Sequence, residues 1–187
     1  ERMQMKRVYL DNSATTKVDD EVVNAMLPCF TEKYGNASSL YTLGREAHEV
    51  IETARQQVAA AIGAAPAEVI FTSGGTEALT ASILAVVEPG DEVICFQPVY
   101  DSYLPIIRQA GGIPRLVRLE PPHWRLHEDM LKSVFNSKTK AVLFNNPLNP
   151  SAVVYPREDL ELLARYCQEF DVIAICDEVW EHVTFDE

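Results

Sequence analysis

The chain has 187 residues, 28 acidic against 16 basic side chains, and a formal net charge of −12. That size suits one domain with at most an appendage, and the charge argues against nucleic acid or an anionic membrane as a main partner. A hydrophobic fraction of 47% is enough for a core, and no apolar run reaches the roughly 18 residues a membrane-spanning helix needs. The opening "ERMQMKRVYL" has no secretory pattern. Cys29, Cys95, Cys167 and Cys176 are scattered and form no CxxC pair. They read as reduced cytoplasmic thiols rather than as a zinc site or disulfide framework.

In chain order, "RVYL" reads as a short first strand. A helix follows from about Asp19 to Phe30, with acids in its first turn. "KYGNASSL" is a loop. Val50, Ile51, Ala54, Val58, Ala61 and Ile62 then recur at helical spacing, predicting an amphipathic helix from about Arg45 to Ile62. From there the pattern alternates. "EVIFTSGG" is strand and turn, and "TEALTASILAVV" is helix. "DEVICFQP" is strand, "YDSYLPIIRQAGG" helix, "IPRLVRL" strand and "HEDMLKSVF" a short helix. "KAVLFNNP" is strand, "PREDLELLARYCQEF" a helix with Pro156 in its first turn, and "DVIAICDE" the last strand. Strands alternating with helices imply parallel crossovers, hence an open α/β sheet covered on both faces. A ligand site belongs along the carboxyl ends of its strands.

Four groups stand at those ends. In "FTSGGTEA", Gly74 and Gly75 allow close backbone approach and Thr76 can cap the next helix, whose free amides suit an anion such as phosphate. The same residues serve equally as a plain capped turn. Tyr100, in "FQPVYDSY", offers a flat ring for stacking; on its own it reads first as core packing. "FNNPLNPSAVV" sets Asn145, Asn146 and Asn149 among prolines, where an amide can donate to a ligand oxygen or simply make an Asx turn. Asp177 ends an apolar strand, where a carboxylate is costly to bury without a cationic partner; the plain alternative is a solvated strand end or a helix cap. Together the four describe a ligand with a phosphate, a flat ring, a ring oxygen and a ring nitrogen that gains from protonation. Pyridoxal 5'-phosphate fits. A carboxylate beside the pyridine nitrogen favours its charged form, which makes the ring an electron sink.

On these motifs the chain resembles the fold-type I pyridoxal-phosphate-dependent transferases. Residues 7–78 resemble cysteine desulfurases in "VYLDNSATT", "YGNASSLYTLG" and "EVIFTSGGTEA". Residues 79–187 resemble class I/II aminotransferases in "EPGDEVICFQPVYDSYLPIIRQAGG", "NNPLNPSAVVY" and "AICDEVWEHVTFD". A chimeric or truncated chain is implied, with a junction of the two subfamilies near 78–80, an N-terminal arm over 1–20 and a partial cofactor-binding large domain over 21–187. The resemblance assigns Gly75 and Thr76 to the phosphate, Tyr100 to ring stacking, Asn149 to the ring oxygen and Asp177 to the pyridine nitrogen. Trp180 stands where the family has a tyrosine that reaches the ring oxygen, and its indole can donate one hydrogen bond. Ala152 replaces a usual glycine. Tyr41, where desulfurases have histidine, either reaches a phosphate across a dimer or packs in its loop.

The family's Schiff-base lysine lies a few tens of residues beyond the aspartate. Lys6, Lys17, Lys33, Lys132, Lys138 and Lys140 all precede Asp177, and none matches that position. No catalytic residue is therefore assigned, and this chain alone is expected to be inactive. The family sheet order, 3-2-4-5-6-7-1, makes "EVIFTS" strand 1 and "DVIAIC" strand 5, leaving a gap where strands 6 and 7 would pair. The resemblance implies amino-group transfer between an amino acid and a 2-oxo acid in a homodimeric parent, with no metal. The alternatives are a cysteine desulfurase, or a non-catalytic α/β scaffold binding phosphate or the cofactor weakly. No GxGxxG follows the first strand, which argues against a dinucleotide-binding domain.

Overall fold

In "EVICFQ" and "KAVLFN" successive side chains point to opposite faces, and both faces are apolar. That pattern builds the centre of the protein. The computed structural model describes residues 8–11 and 14–182. Its elements are α1 (Asp20–Thr31), α2 (Thr42–Ile62), a 3₁₀ turn (Pro66–Glu68), α3 (Gly75–Val86), β1 (Glu92–Gln97), α4 (Tyr103–Gln109), β2 (Ile113–Arg118), α5 (Glu128–Val134), β3 (Thr139–Asn145), α6 (Arg157–Phe170) and β4 (Ile173–Asp177). The chain divides into two compact units, residues 1–71 and 72–187.

The second unit holds a four-stranded parallel sheet in the order β2-β1-β3-β4. The central strands β1 and β3 are buried almost throughout, and the outer strands β2 and β4 are largely exposed. Val93, Cys95, Ala141 and Leu143 face one side, where Ile83 of α3 and Tyr103, Ile106 and Ile107 of α4 cover them. Ile94, Phe96, Val142 and Phe144 face the other side, where Leu131 of α5 and Leu163, Tyr166 and Cys167 of α6 complete a second cluster. Period-two alternation on two apolar faces thus dictates helices on both sides. The sheet matches the family segment 3-2-4-5, with β2, β1, β3 and β4 in those places.

Two ion-paired carboxylates fix the second unit's loops. Asp159 is buried at the start of α6 and accepts from Arg125 Nε at 2.9 Å, Arg125 Nη2 at 2.7 Å and the Leu126 amide at 2.9 Å. Glu92 opens β1 and accepts from Arg115 on the neighbouring strand and from Asn136 Nδ2 at 2.8 Å.

The first unit is helical. Asp19 caps α1 by accepting from the Glu21 amide at 2.8 Å, so the acid-rich start works as the sequence suggests. α2 ends at Gly63 (φ 70°), a left-handed position that glycine occupies without strain. Arg55 of α2 reaches the Val69 carbonyl and lies over the Phe71 ring at 5.0 Å.

Three sequence expectations differ from the structure. Residues 69–72 form no strand: a strand needs a neighbouring strand to pair with, these residues have none among the described residues, and Ile70 is 81% exposed. Val8–Leu10, the described part of "RVYL", likewise carry no strand, while Arg7 lies outside the described residues. Pro156 is the N-cap of α6 rather than part of its first turn.

Candidate functional site

The site grows from the carboxyl ends of β3 and β4. Asn145 and Asp177 are register partners there. Asn145 is buried, and its Nδ2 donates to the Asp177 carbonyl at 2.8 Å while its Oδ1 accepts from the Asn149 amide at 2.6 Å. The next residue continues the arrangement: the Asn146 amide donates to the same Asp177 carbonyl at 3.1 Å, and its Oδ1 accepts from the Tyr155 amide at 3.1 Å. One side-chain amide thus ties the asparagine–proline loop to the strand end, and the other closes the loop's far side. Leu148 pairs with Val153 as an isolated bridge between them. Ala152 sits at φ 56°, the left-handed conformation that a glycine adopts more easily. That geometry gives a physical reason for glycine at this position in the family pattern.

Asp177 is half-buried. Its Oδ2 accepts from the Tyr103 hydroxyl at 2.6 Å, and its Oδ1 from the Val179 amide at 3.3 Å. The sequence argument asks for a cationic partner and gives that part to the cofactor's ring nitrogen. Within the protein Asp177 also has a neutral phenol, on a residue 74 positions away that sequence reasoning did not single out. Burial first, and the Asp177 hydrogen bond and charge next, push the Tyr103 phenol far above its ordinary range. It therefore remains a donor. Tyr100 meets Tyr103 edge-on at 5.6 Å and is 42% exposed as a residue, so it both contacts the core and remains accessible.

Gly75 and Thr76 open α3, as expected of a turn into a helix, but Thr76 is not the cap. The cap is Gly74, in a backbone conformation that side chains rarely adopt. The Glu77 carboxylate reaches back to the Ser73 amide at 2.6 Å, and that hydrogen bonding holds its pKa below the usual carboxylate value. Gly74 offers no side-chain cap, and the Glu77 carboxylate satisfies the Ser73 amide ahead of the helix rather than one of its first-turn amides. The space around Gly75 is open, and α3 continues through Leu79 and Ile83 into the cluster that holds Tyr103.

Trp180 follows Asp177 in a turn. Its indole Nε1 is buried and has no hydrogen-bond partner among the described residues, so it is a candidate donor to a ligand. The structure therefore joins Asp177 to Tyr103 directly, Tyr103 to Tyr100 edge-on, and Asn149 to the Asp177 strand end through Asn145, with Trp180 three residues from Asp177. Tyr41 precedes α2 in the first unit and makes no side-chain cap bond. Residues 183–187, the end of the last family motif, lie outside the described residues.

The chemistry of these residues fits pyridoxal phosphate: a carboxylate held by neutral donors, a partly exposed aromatic residue, an asparagine loop tied to the same strand end, and an indole N–H with no partner among the described residues. The family model for class-V aminotransferases matches residues 8–183. Methionine aminotransferase of Escherichia coli (strain K12) is 42% identical over 123 residues, covering 66% of this chain and 32% of that protein. A cysteine desulfurase of Trichormus azollae is 37% identical over 161 residues, covering 83% of this chain and 40% of that protein. The structure of Thermus thermophilus aspartate aminotransferase with maleate superposes with a TM-score of 0.70 at 34% identity, over 73% of this chain and 37% of that one. The chain thus spans about a third of the aminotransferases it matches and 40% of the desulfurase. A match over 83% of the chain is longer than residues 7–78, and one over 66% is longer than residues 79–187, so both likenesses run across the junction region near 78–80. With a family match across nearly its whole length and a fold shared with a solved relative, the chain belongs to the aminotransferase class-V family, whose members depend on pyridoxal phosphate.

Proposed function

We propose that this chain is the cofactor-facing part of a pyridoxal-phosphate-dependent aminotransferase that moves an amino group between an amino acid and a 2-oxo acid. The observation that carries the reading is the Asp177 carboxylate, fixed at the end of β4 by the Tyr103 hydroxyl at 2.6 Å and set beside the Asn145–Asn149 loop. In this reading Asp177 holds a proton at the ring nitrogen, because an adjacent negative charge favours the charged form. Asn149 and the Trp180 N–H donate toward the ring oxygen, Tyr100 stacks on the ring, and the Gly75–Thr76 helix start faces the phosphate. When bound, the cofactor supplies the electron sink that loosens the α-proton of an amino acid. A homodimeric, cytoplasmic parent without a nucleic-acid or membrane partner completes the proposal; among the described residues no helix is long and apolar enough to cross a membrane.

Pyridoxal phosphate titrated into this chain, followed by absorbance, tests the reading. Saturable, reversible binding is expected, and Asp177→Asn should weaken it roughly tenfold, the equivalent of about one pKa unit of lost interaction with the protonated ring. Equal affinity in both proteins, or no saturable binding, would overturn it. The second reading, a cysteine desulfurase, is favoured by the longer match of 83% of the chain. It differs in product: sulfur release from cysteine, against a 2-oxo acid, in an enzyme carrying this segment.

A further inference from the structure

We propose that Tyr103 is a positioning residue for Asp177: its hydroxyl fixes the carboxylate in the orientation that meets the cofactor's ring nitrogen. The inference rests on the function proposed above and adds a residue to it. Tyr103 is the first residue of α4 and 3% exposed. It belongs to the buried cluster that also holds Ile83, Val93, Ile107, Ala141 and Leu143 and is braced by the Tyr100 edge, so the hydroxyl has little freedom. At 2.6 Å the bond to Oδ2 has the short separation of a hydroxyl donating to a carboxylate. Oδ1 is held separately, by the Val179 amide. Two donors from different parts of the chain thus fix the plane of the carboxylate, while its remaining lone-pair directions stay available for a ligand.

The identity of the donor matters. A lysine or arginine in that place would orient Asp177 but cancel the negative charge that a protonated pyridine needs. A phenol orients it and stays neutral, because burial and the facing carboxylate both oppose its ionisation. Packing alone would be met as well by phenylalanine, so the hydroxyl is the atom with the separate role.

The test uses this chain with Tyr103→Phe, Asp177→Asn and the double variant, each titrated with pyridoxal phosphate. Tyr103→Phe should weaken binding roughly three- to tenfold, the range of one ordinary net hydrogen bond and no more than the Asp177→Asn loss through which it acts. In the Asp177→Asn background the same change should have little further effect, since coupled residues are non-additive. With ring-15N-labelled cofactor, the nitrogen signal should move toward that of unprotonated pyridine in Tyr103→Phe. A cofactor-free measurement needs no Tyr103 variant: the wild-type chain should show a protected, downfield hydroxyl proton in its NMR spectrum that Asp177→Asn abolishes. If wild type binds and depends on Asp177 while Tyr103→Phe changes neither affinity nor the 15N signal, the positioning role is overturned and the function stands. Equal losses from Tyr103→Phe in both backgrounds, or no such proton, overturn it as well. If wild type does not bind saturably, the function itself fails and the positioning role falls with it.

Discussion

The two units of this chain are both rich in apolar residues, yet only one turns them into a core. In residues 72–187 the strands β1 and β3 present apolar side chains on two faces, and helices close both, leaving Ile94, Ile107, Leu131 and Val142 without any exposure. In residues 1–71, α1 buries nothing and α2 buries only Gly44, Ala47 and Ala59, while Val22, Val23, Met26, Leu27 and Phe30 of α1 stay exposed. A two-faced sheet organises its own cover, whereas an amphipathic helix has a single stripe and must find another element to lie on. The contrast predicts where mutations will hurt. Leu143→Ala, on the central strand, should cost about 2–5 kcal/mol, as large-to-small changes in packed cores do. Trp124 and Trp180 both lie in residues 72–187, so denaturant unfolding followed by tryptophan fluorescence reads that unit. A loss below about 1 kcal/mol there would mean that the sheet is not packed as described.

A second test addresses the sheet's acid dependence. The Arg115 guanidinium, and after it the Asn136 amide, hold the Glu92 carboxyl below the usual carboxylate range. A carboxyl depressed in the folded state adds stability that is present above its unfolded value and is lost as pH falls through its folded value. Half of the Arg115 side chain is exposed, so the contribution is reduced by solvent and is smaller than that of Leu143. Glu92→Gln should therefore lower stability near neutral pH and flatten the acid side of the fluorescence-detected stability profile. Parallel acid limbs in wild type and variant would show that this carboxyl does not carry the dependence.

Much of this division was legible in the sequence. The alternation from β1 to β4 follows from apolar runs punctuated by glycine and proline, and the start of α1 from Asp19 and the acids after it. What escaped was whatever depends on partners distant in the chain. "EVIFTS" has the composition of a strand, but composition cannot provide the neighbour that a strand must pair with. Gly74 takes the cap position assigned to Thr76, because backbone angles rather than side-chain type settle where the helix starts. The demand for a partner at Asp177 was readable, since a carboxylate ending an apolar strand needs one. Its identity was not, because Tyr103 differs from other tyrosines only in where α4 places it. Its spacing of three from Tyr100, on a helical turn, was the only local hint that the two rings act together.

The smallest expected effect gives the sharpest check on the contrast between the units. Leu27 lies on α1 and is 53% exposed, next to Pro28, which interrupts the helix's own hydrogen bonding. Truncating a side chain that is already half in water removes little burial, so Leu27→Ala should change stability by less than about 0.5 kcal/mol. Alanine's higher helix propensity would offset part of even that loss. Because both tryptophans lie in the other unit, the measurement is denaturant unfolding followed by far-ultraviolet circular dichroism, with Leu143→Ala alongside. If Leu27→Ala instead costs as much as Leu143→Ala, α1 has a cover in solution that its exposed stripe does not reveal. The contrast would then lie between two ways of closing a core, rather than between a closed core and an open one.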